Sequence, residues 1–338
     1  MIDIDVLKKV RTIVVHADCS DGLASAVILR DALPDARVVF AAHGSESYLQ
    51  LPAEENMLFC DIIPPRARAS EFMSKGTVVL DHHKTARSIV ELFGERGIFA
   101  DEATDKGTSG AVLAYREVWE PLFDPETRSW LDRALMSASG KEGLVEEFAR
   151  LVGIADTWQV SDARWPEARA TAEALAFYGP DRFCSENRWE AHDPWLSSDE
   201  LDRGREVYKM IQQEARLIAR TCPIVQRAAV FNEASVGSLK LTSDVAEELR
   251  SMKREGIDMV AGFAFVIDPN STMHLTFSLR SISDSCDVSA IARANGGGGH
   301  TRAAGFGVPV HGDGGADPIA ALERALSKSQ RAQEDGYA

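Results

Sequence analysis

The chain is short of cysteine, of basic charge and of long apolar runs. Its five cysteines, Cys19, Cys60, Cys184, Cys222 and Cys286, are odd in number, scattered and without a CxxC pair. That excludes a disulfide framework and points to a reducing, cytoplasmic setting. No stretch approaches the ~18 consecutive apolar residues of a membrane span, so no membrane partner is expected. The first ten residues carry charges but no apolar h-region, so no signal peptide is expected. Lys and Arg number 37 against 52 Asp and Glu, a net charge of −15. A protein that grips long duplex DNA shows a basic footprint, and its absence here points to a small substrate or a short oligonucleotide. Bound divalent ions reverse the local field and keep the second option open. There is no Gly-x-Ser-x-Gly elbow, no Walker Gly-Lys-Ser/Thr and no internal repeat.

What remains is ordinary for a globular protein: 45% hydrophobic and 26% charged over 338 residues. That length suits about two domains of ~100–200 residues. Residues 11–120 alternate short apolar runs with helical patterns. Thr12–Val15, Val38–Ala41, Met57–Cys60 and Thr77–Leu80 read as strands, and Leu23–Leu33 and Arg66–Lys75 as helices. The alternation predicts an α/β fold with βαβ units and a parallel sheet, which binds ligands at the carboxyl ends of its strands. Residues 109–160 read as mostly helical and 160–200 as irregular. Leu201–Ile218 reads as a long charged helix joining a second, smaller α/β unit. Ala228–Phe231, Met259–Ile267 and Met273–Leu279 read as its strands, and the tail from Ile319 as a helix. The expected domains are 1–200, a connector 201–225 and 226–338, with a cleft between the two domains.

Four apolar runs end in Asp or His. Thr12–Val15 leads into His16, Asp18 and Asp21; Met57–Cys60 into Asp61; Thr77–Leu80 into Asp81, His82 and His83. Leu151–Ala155, equally a strand or a helix, leads into Asp156. Imidazole and carboxylate delivered by four runs suggest a two-metal hydrolytic centre, for Mn²⁺ and also Mg²⁺, Fe²⁺ or Zn²⁺. Each run has a plainer reading. His16–Gly22 also reads as a turn with a helix-capping Asp, where Gly22 permits the tight entry. Asp61 before Pro64-Pro65 reads as a cap on a proline-opened helix, or as a carboxylate bridging two metals. Asp156 says nothing alone, and Cys19 reads as a bystander thiol before it reads as a soft ligand. Adjacent His82 and His83 on an extended chain point opposite ways, so only one is expected to be a ligand. Lys84 and Thr85 suit solvent as well as phosphate.

In the second half, Asn295 leads into Gly296, Gly297, Gly298, Gly299, His300, Thr301 and Arg302. Consecutive glycines let backbone N–H groups form an anion nest, and His300 and Arg302 add charge-assisted donors. Leu279-Arg280-Ser281 ends a strand with a cation and a hydroxyl, a second phosphate contact. The Trp-rich stretch Trp158–Trp195 reads as core or interface packing, or as an aromatic surface for base stacking.

Together and in this order, these motifs resemble the DHH phosphoesterase superfamily with its associated C-terminal domain, over nearly the whole chain. Leu80–Thr85 and Ala155–Trp158 look most like the nanoRNase branch. The resemblance implies a dinuclear centre, most often of Mn²⁺, with His16, Asp18, Asp21, Asp61, His82 and Asp156 as ligands and Asp61 bridging. It implies Asp81 orienting an imidazole and His83 acting on the scissile phosphate or leaving oxygen. Arg280, Ser281, Gly297, Gly298, Gly299, His300 and Arg302 would hold the substrate's terminal phosphate or sugar. The usual His-x-Asp-x-Asp-Gly is departed from, because Asp18-Cys19-Ser20-Asp21 carries an extra residue; Asp21-Gly22 aligns and Asp18 is displaced by one. The expected activity is hydrolysis of short single-stranded oligonucleotides to mononucleotides. Linear or cyclic dinucleotides are the alternative substrates, with a pyrophosphatase or a non-catalytic nucleotide sensor behind them. The oligomeric state is left open, a dimer included.

Overall fold

The computed structural model describes residues 2–17, 19–43, 45–101, 104–123, 141–184, 196–233, 241–267, 272–310 and 317–334. The chain divides into two compact units, Met1–Tyr208 and Lys209–Ala338, and the division falls within the helix Ser198–Thr221.

The first unit is built on five parallel strands: β1 (Thr12–His16), β2 (Arg37–Ala41), β3 (Met57–Cys60), β4 (Val78–Asp81) and β5 (Gly97–Phe99), in the order β2-β1-β3-β4-β5. β3 and β4 are buried along their whole length, as parallel strands covered on both faces must be. Successive side chains alternate between two layers. Ile13, Val15, Leu58, Cys60 and Leu80 pack with Val27, Ile28, Ala111, Val118 and Trp119 on one face. Val14, Met57, Phe59 and Val79 pack with Tyr48, Ile62, Phe72 and Val90 on the other. This order reverses between β1 and β3, the switch point where open α/β sheets bind ligands at their carboxyl ends. His16 ends β1, Asp61 follows β3 and Asp81 ends β4.

The helix Ser20–Ala32 follows β1, and the helix Gly110–Ala114 continues through a π turn, Tyr115–Trp119. Asp156 closes the helix Lys141–Asp156, so the second reading of its apolar run holds. Among the described residues of the stretch 160–200, expected to be irregular, Trp165–Phe183 is instead a helix. Pro166 lies in its first turn, where proline starts helices instead of breaking them, and the alanines at 168, 170, 172 and 174 are buried on two sides of it, 168 and 172 on one and 170 and 174 on the other. Gly179, at φ +67, kinks it before Pro180.

The second unit carries a mixed sheet of β6 (Ile224–Val225), β7 (Ala228–Asn232), β8 (Met259–Ile267), β9 (Met273–Ser281), β10 (Gly298–His300) and β11 (Ala303–Pro309), in the order β10-β11-β9-β8-β7-β6. Only β7 and β8 pair in parallel among these strands. Leu275, Phe277 and Leu279 are buried while Thr276 and Ser278 between them are half-buried, the period-two pattern of a sheet with one covered face. The core joins them to Val288, Ile291, Leu322 and Leu326 from the helices Val288–Ala294 and Pro318–Glu334. Among the described residues, no helix is long and apolar enough to cross a membrane.

Candidate metal centre

Asp61 is the hub of the site. Its φ of +61 lies in the left-handed region, which Asp enters more readily than most residues, and such strain gathers at functional sites. It caps no helix, since the turn at Arg66–Arg68 begins after Pro65. Its carboxylate is 1% exposed. Oδ1 stands 3.3 Å from His82 Nε2 and 3.8 Å from His83 Nδ1. Oδ2 stands 3.7 Å from His16 Nδ1 and has no hydrogen-bond partner. Burial works against its charge, but His16, His82 and His83 outweigh it and hold the carboxyl well below the usual range.

His82 Nε2 lies 3.3 Å from Asp61 Oδ1, 3.5 Å from Asp156 Oδ2 and 3.7 Å from Asp21 Oδ2. Burial pulls its pKa down, yet these three carboxylates push it up to about 10. Asp21 is fully buried in the first turn of Ser20–Ala32. Its carboxylate accepts from Ser109 Oγ (2.7 Å), Gly110 N (2.6 Å) and Ala111 N (2.8 Å). It therefore caps the helix Gly110–Ala114 as well as facing His82, a favourable place for an anion. Burial, with the Asp61 and Asp156 charges, still raises its pKa well above the ordinary value. Too many carboxylates face too few cations here, and added positive charge would relieve them.

Asp81 Oδ1 accepts from His83 N (2.7 Å) and pairs with His83 Nδ1 (2.9 Å). The adjacent histidines differ in their partners, His82 facing three carboxylates and His83 bound to Asp81, but they do not point opposite ways as expected: their rings lie 4.4 Å apart and they stand 3.3 and 3.8 Å from Asp61 Oδ1. Despite burial, Asp81 and Asp61 push the His83 pKa up to about 9. Three groups of donor atoms lie within 4.8 Å of one another: His16, Cys19 and Asp61; Asp61, His82 and His83; Asp21, His82 and Asp156. Burial and the charges of Asp61, Asp156 and Asp21 push the Cys19 thiol up, so it stays neutral until a cation offsets them. Five of the six expected ligands therefore converge; Asp18 lies outside the described residues. Lys84 and Thr85 are exposed.

Two participants escape the sequence reading. Gly110 packs so closely that a Cβ would stand 2.5 Å from Asp61 Cβ and 2.9 Å from Asp21 Oδ2. His43 stands with its ring 5.5 Å from that of His16 and edge-on to Tyr48. It follows β2 at the same end of the sheet as the other groups, which was the signal available for it.

In the second unit, Arg280 is half-buried on β9, and its Nε donates to Ser243 Oγ at 2.8 Å. It makes no ion pair among the described residues, and burial lowers its pKa. Ser281 Oγ donates to Ser283 O at 2.6 Å, and Arg302 is exposed and paired with Asp284 at 2.6 Å. The glycines form a turn and an edge strand instead of an open nest. A Cβ on Gly297 would meet Gly305 O at 2.1 Å, and one on Gly299, at φ +136, would meet Ala303 O at 2.5 Å. A Cβ on Gly298 would meet nothing within 4 Å. The His300 backbone pairs with Ala303, and its side chain lies outside the description. Trp158 and Trp165 meet edge-on under the Arg169 guanidinium, which is packing; residues 185–195 of that stretch are outside the described ones.

Fold and site define an α/β protein with a carboxylate–imidazole cluster at the switch point of a parallel sheet. No protein-family model and no curated protein matches the chain. Among solved structures it is similar to the pGpG-specific phosphodiesterase PggH from Vibrio cholerae, at 12% identity and a TM-score of 0.49, covering 95% of this chain and 99% of that one. It is similar to RecJ in complex with Mn²⁺ from Thermus thermophilus, at 18% identity and a TM-score of 0.47, covering 97% of this chain and 52% of RecJ. An exopolyphosphatase-related protein from Bacteroides fragilis follows at 12% identity and a TM-score of 0.39, covering 97% and 95%.

Proposed function

We propose that the chain is a metal-dependent phosphodiesterase that hydrolyses short oligonucleotides to mononucleotides. The observation that carries this reading is the buried, unpartnered Asp61 Oδ2 at the centre of imidazoles and carboxylates. An orphaned buried carboxylate oxygen costs about 1–3 kcal/mol or more, and the donor set is the one divalent cations take. His16, Asp61, Asp21, His82 and Asp156 would hold the ions, with Asp61 shared between them. Bound there, divalent ions supply charge opposite the phosphoryl oxygens and a nucleophilic water at neutral pH.

The chain's own groups do the rest. His83 has Nδ1 tied to Asp81, which leaves Nε2 as the atom that would protonate the leaving sugar oxygen. Asp21 fixes the start of Gly110–Ala114 against the site. Arg280, a half-buried cation that makes no ion pair among the described residues, with the Glu233 charge favouring its charged form, suits a substrate phosphate, with Arg302 available on exchange of its exposed partner Asp284. Recognition through phosphate and sugar makes sequence preference weak.

The test is hydrolysis of 5′-phosphorylated RNA from dinucleotide to decanucleotide, with Mn²⁺ and with chelator, by wild type and Asp61→Ala. Metal-dependent mononucleotide release, fastest on the shortest chains and lost in Asp61→Ala, is expected. Activity on the dinucleotide alone would reassign the substrate to that class. Full activity in Asp61→Ala would sink the scheme.

A further inference from the structure

The three donor groups differ in chemistry. Asp21, His82 and Asp156 offer two oxygens and a nitrogen; His16, Cys19 and Asp61 offer nitrogen, sulfur and oxygen. Resting on the metal reading above, we infer that Cys19 is a metal ligand, and that with His16 and Asp61 it makes one of the two ion sites thiophilic.

Two observations carry this independently. The first is distance. Donors bound to one ion at ~2.0–2.3 Å stand at most about 4.6 Å apart, and the His16, Cys19 and Asp61 donor atoms already lie within 4.8 Å of one another. The second is the Asp61 oxygen. Oδ2, on the His16 side, is the buried atom without a hydrogen-bond partner, while Oδ1 has His82. The unsatisfied half of Asp61 therefore belongs to the His16–Asp61 side of the cluster, where the thiol also stands.

Local structure supports it. Cys19 occupies the N-cap of Ser20–Ala32 with an extended backbone, and a helix N-terminus favours a thiolate. Gly22 lets that helix start directly against β1: a Cβ there would stand 2.1 Å from His16 O. The tight entry keeps Cys19 beside His16. Thiolate selects Zn²⁺, Co²⁺ or Fe²⁺ over Mg²⁺, whereas carboxylate-rich sites accept Mg²⁺ and Mn²⁺. The two positions should thus differ in metal preference, with Asp61 shared between unequal ions.

The test is an anaerobic titration of the metal-stripped full chain with Co²⁺, followed in the visible and near-ultraviolet. Visible ligand-field bands report any bound Co²⁺; a near-ultraviolet thiolate-to-cobalt charge-transfer band reports sulfur ligation. Wild type should develop both, with the charge-transfer band saturating at one equivalent. Cys19→Ser should lose the charge-transfer band, keep the visible bands at the second position, and weaken the first site by at least about 10-fold, since even groups that only hydrogen-bond to a ligand cost about 10–100-fold when removed. Cys286→Ser should keep every band. Far-ultraviolet circular dichroism of each variant separates unfolding from ligand loss, and the wild-type spectrum decides by itself if Cys19→Ser does not fold. Visible bands without charge transfer in wild type, or charge transfer persisting in folded Cys19→Ser, would overturn the thiol ligand and leave the metal reading standing. No Co²⁺ spectrum at all would overturn both.

Discussion

A methyl group at Gly110 would stand 2.5 Å from Asp61 Cβ and 3.0 Å from Ser25 Oγ. Neither neighbour has room to yield, because Asp61 is buried in a left-handed backbone and Ser25 is fully buried. Gly110→Ala should therefore cost about 1–3 kcal/mol by overpacking, read as a lower urea midpoint, and should weaken metal binding by displacing Asp61. A variant as stable and as tight-binding as wild type would show that the close approach is not needed. Protons act on the same residues. In the metal-free chain the His82 and His83 pKa values are raised to about 10 and about 9, above the ordinary ~6.5. Their contribution to stability is therefore fully present below about pH 6.5 and is lost as pH rises through 9 and then 10. Metal binding needs neutral imidazole at His82, so uptake expels a proton and affinity should rise with pH over the same range. Unfolding of the chelated protein against pH checks the first statement, and metal titration in buffers of different ionisation enthalpy checks the second. Affinity independent of pH would remove His82 from the ligand set.

The hairpin of β10 and β11 separates two uses of glycine within one element. Gly299 needs its conformation and its missing Cβ for β11 to come close; Gly298 needs neither. Gly299→Ala should destabilise the second unit measurably. Gly298→Ala should leave its unfolding within about ±0.5 kcal/mol, yet raise KM if substrate phosphate approaches that backbone. An unchanged KM would make the glycine run a packing device only. The difference also shows why this element was hard to read: four glycines carry no period, so neither strand nor register appears in them. β1, β3 and β4 were legible because burial on both faces makes each a continuous apolar run, ended by the charged group that the sheet presents. β5, three residues long at the sheet edge, has too little pattern to stand out. The helix Trp165–Phe183 was hidden by the aromatic and proline residues that start it. Asp21 accepting from residues 88 to 90 positions away leaves no local trace at all, so the capping that locks the site was visible only in three dimensions.

At the scale of the whole molecule, charge is the controlling quantity. A chain of net charge −15 repels polyanions except where ions or arginines reverse the field. Binding of a single strand falls with salt at a slope of ≈ −0.7 per phosphate neutralised. If Arg280 and Arg302 are the two basic contacts, the slope of log KM against log salt should be shallow, about 1.4. It should stay the same as the oligonucleotide lengthens, because added phosphates find no further basic groups. A groove that tracked a long strand would instead give a slope that grows with length. Arg302→Gln should lower the slope by about 0.7 and leave metal affinity untouched, since its partner is Asp284 and not a ligand. Long duplex DNA should show no measurable retention at physiological salt. Length-dependent steepening, or retention of duplex, would mean that the acidic total conceals a basic track, and the short-substrate reading would then fail for a reason that lies outside the metal centre.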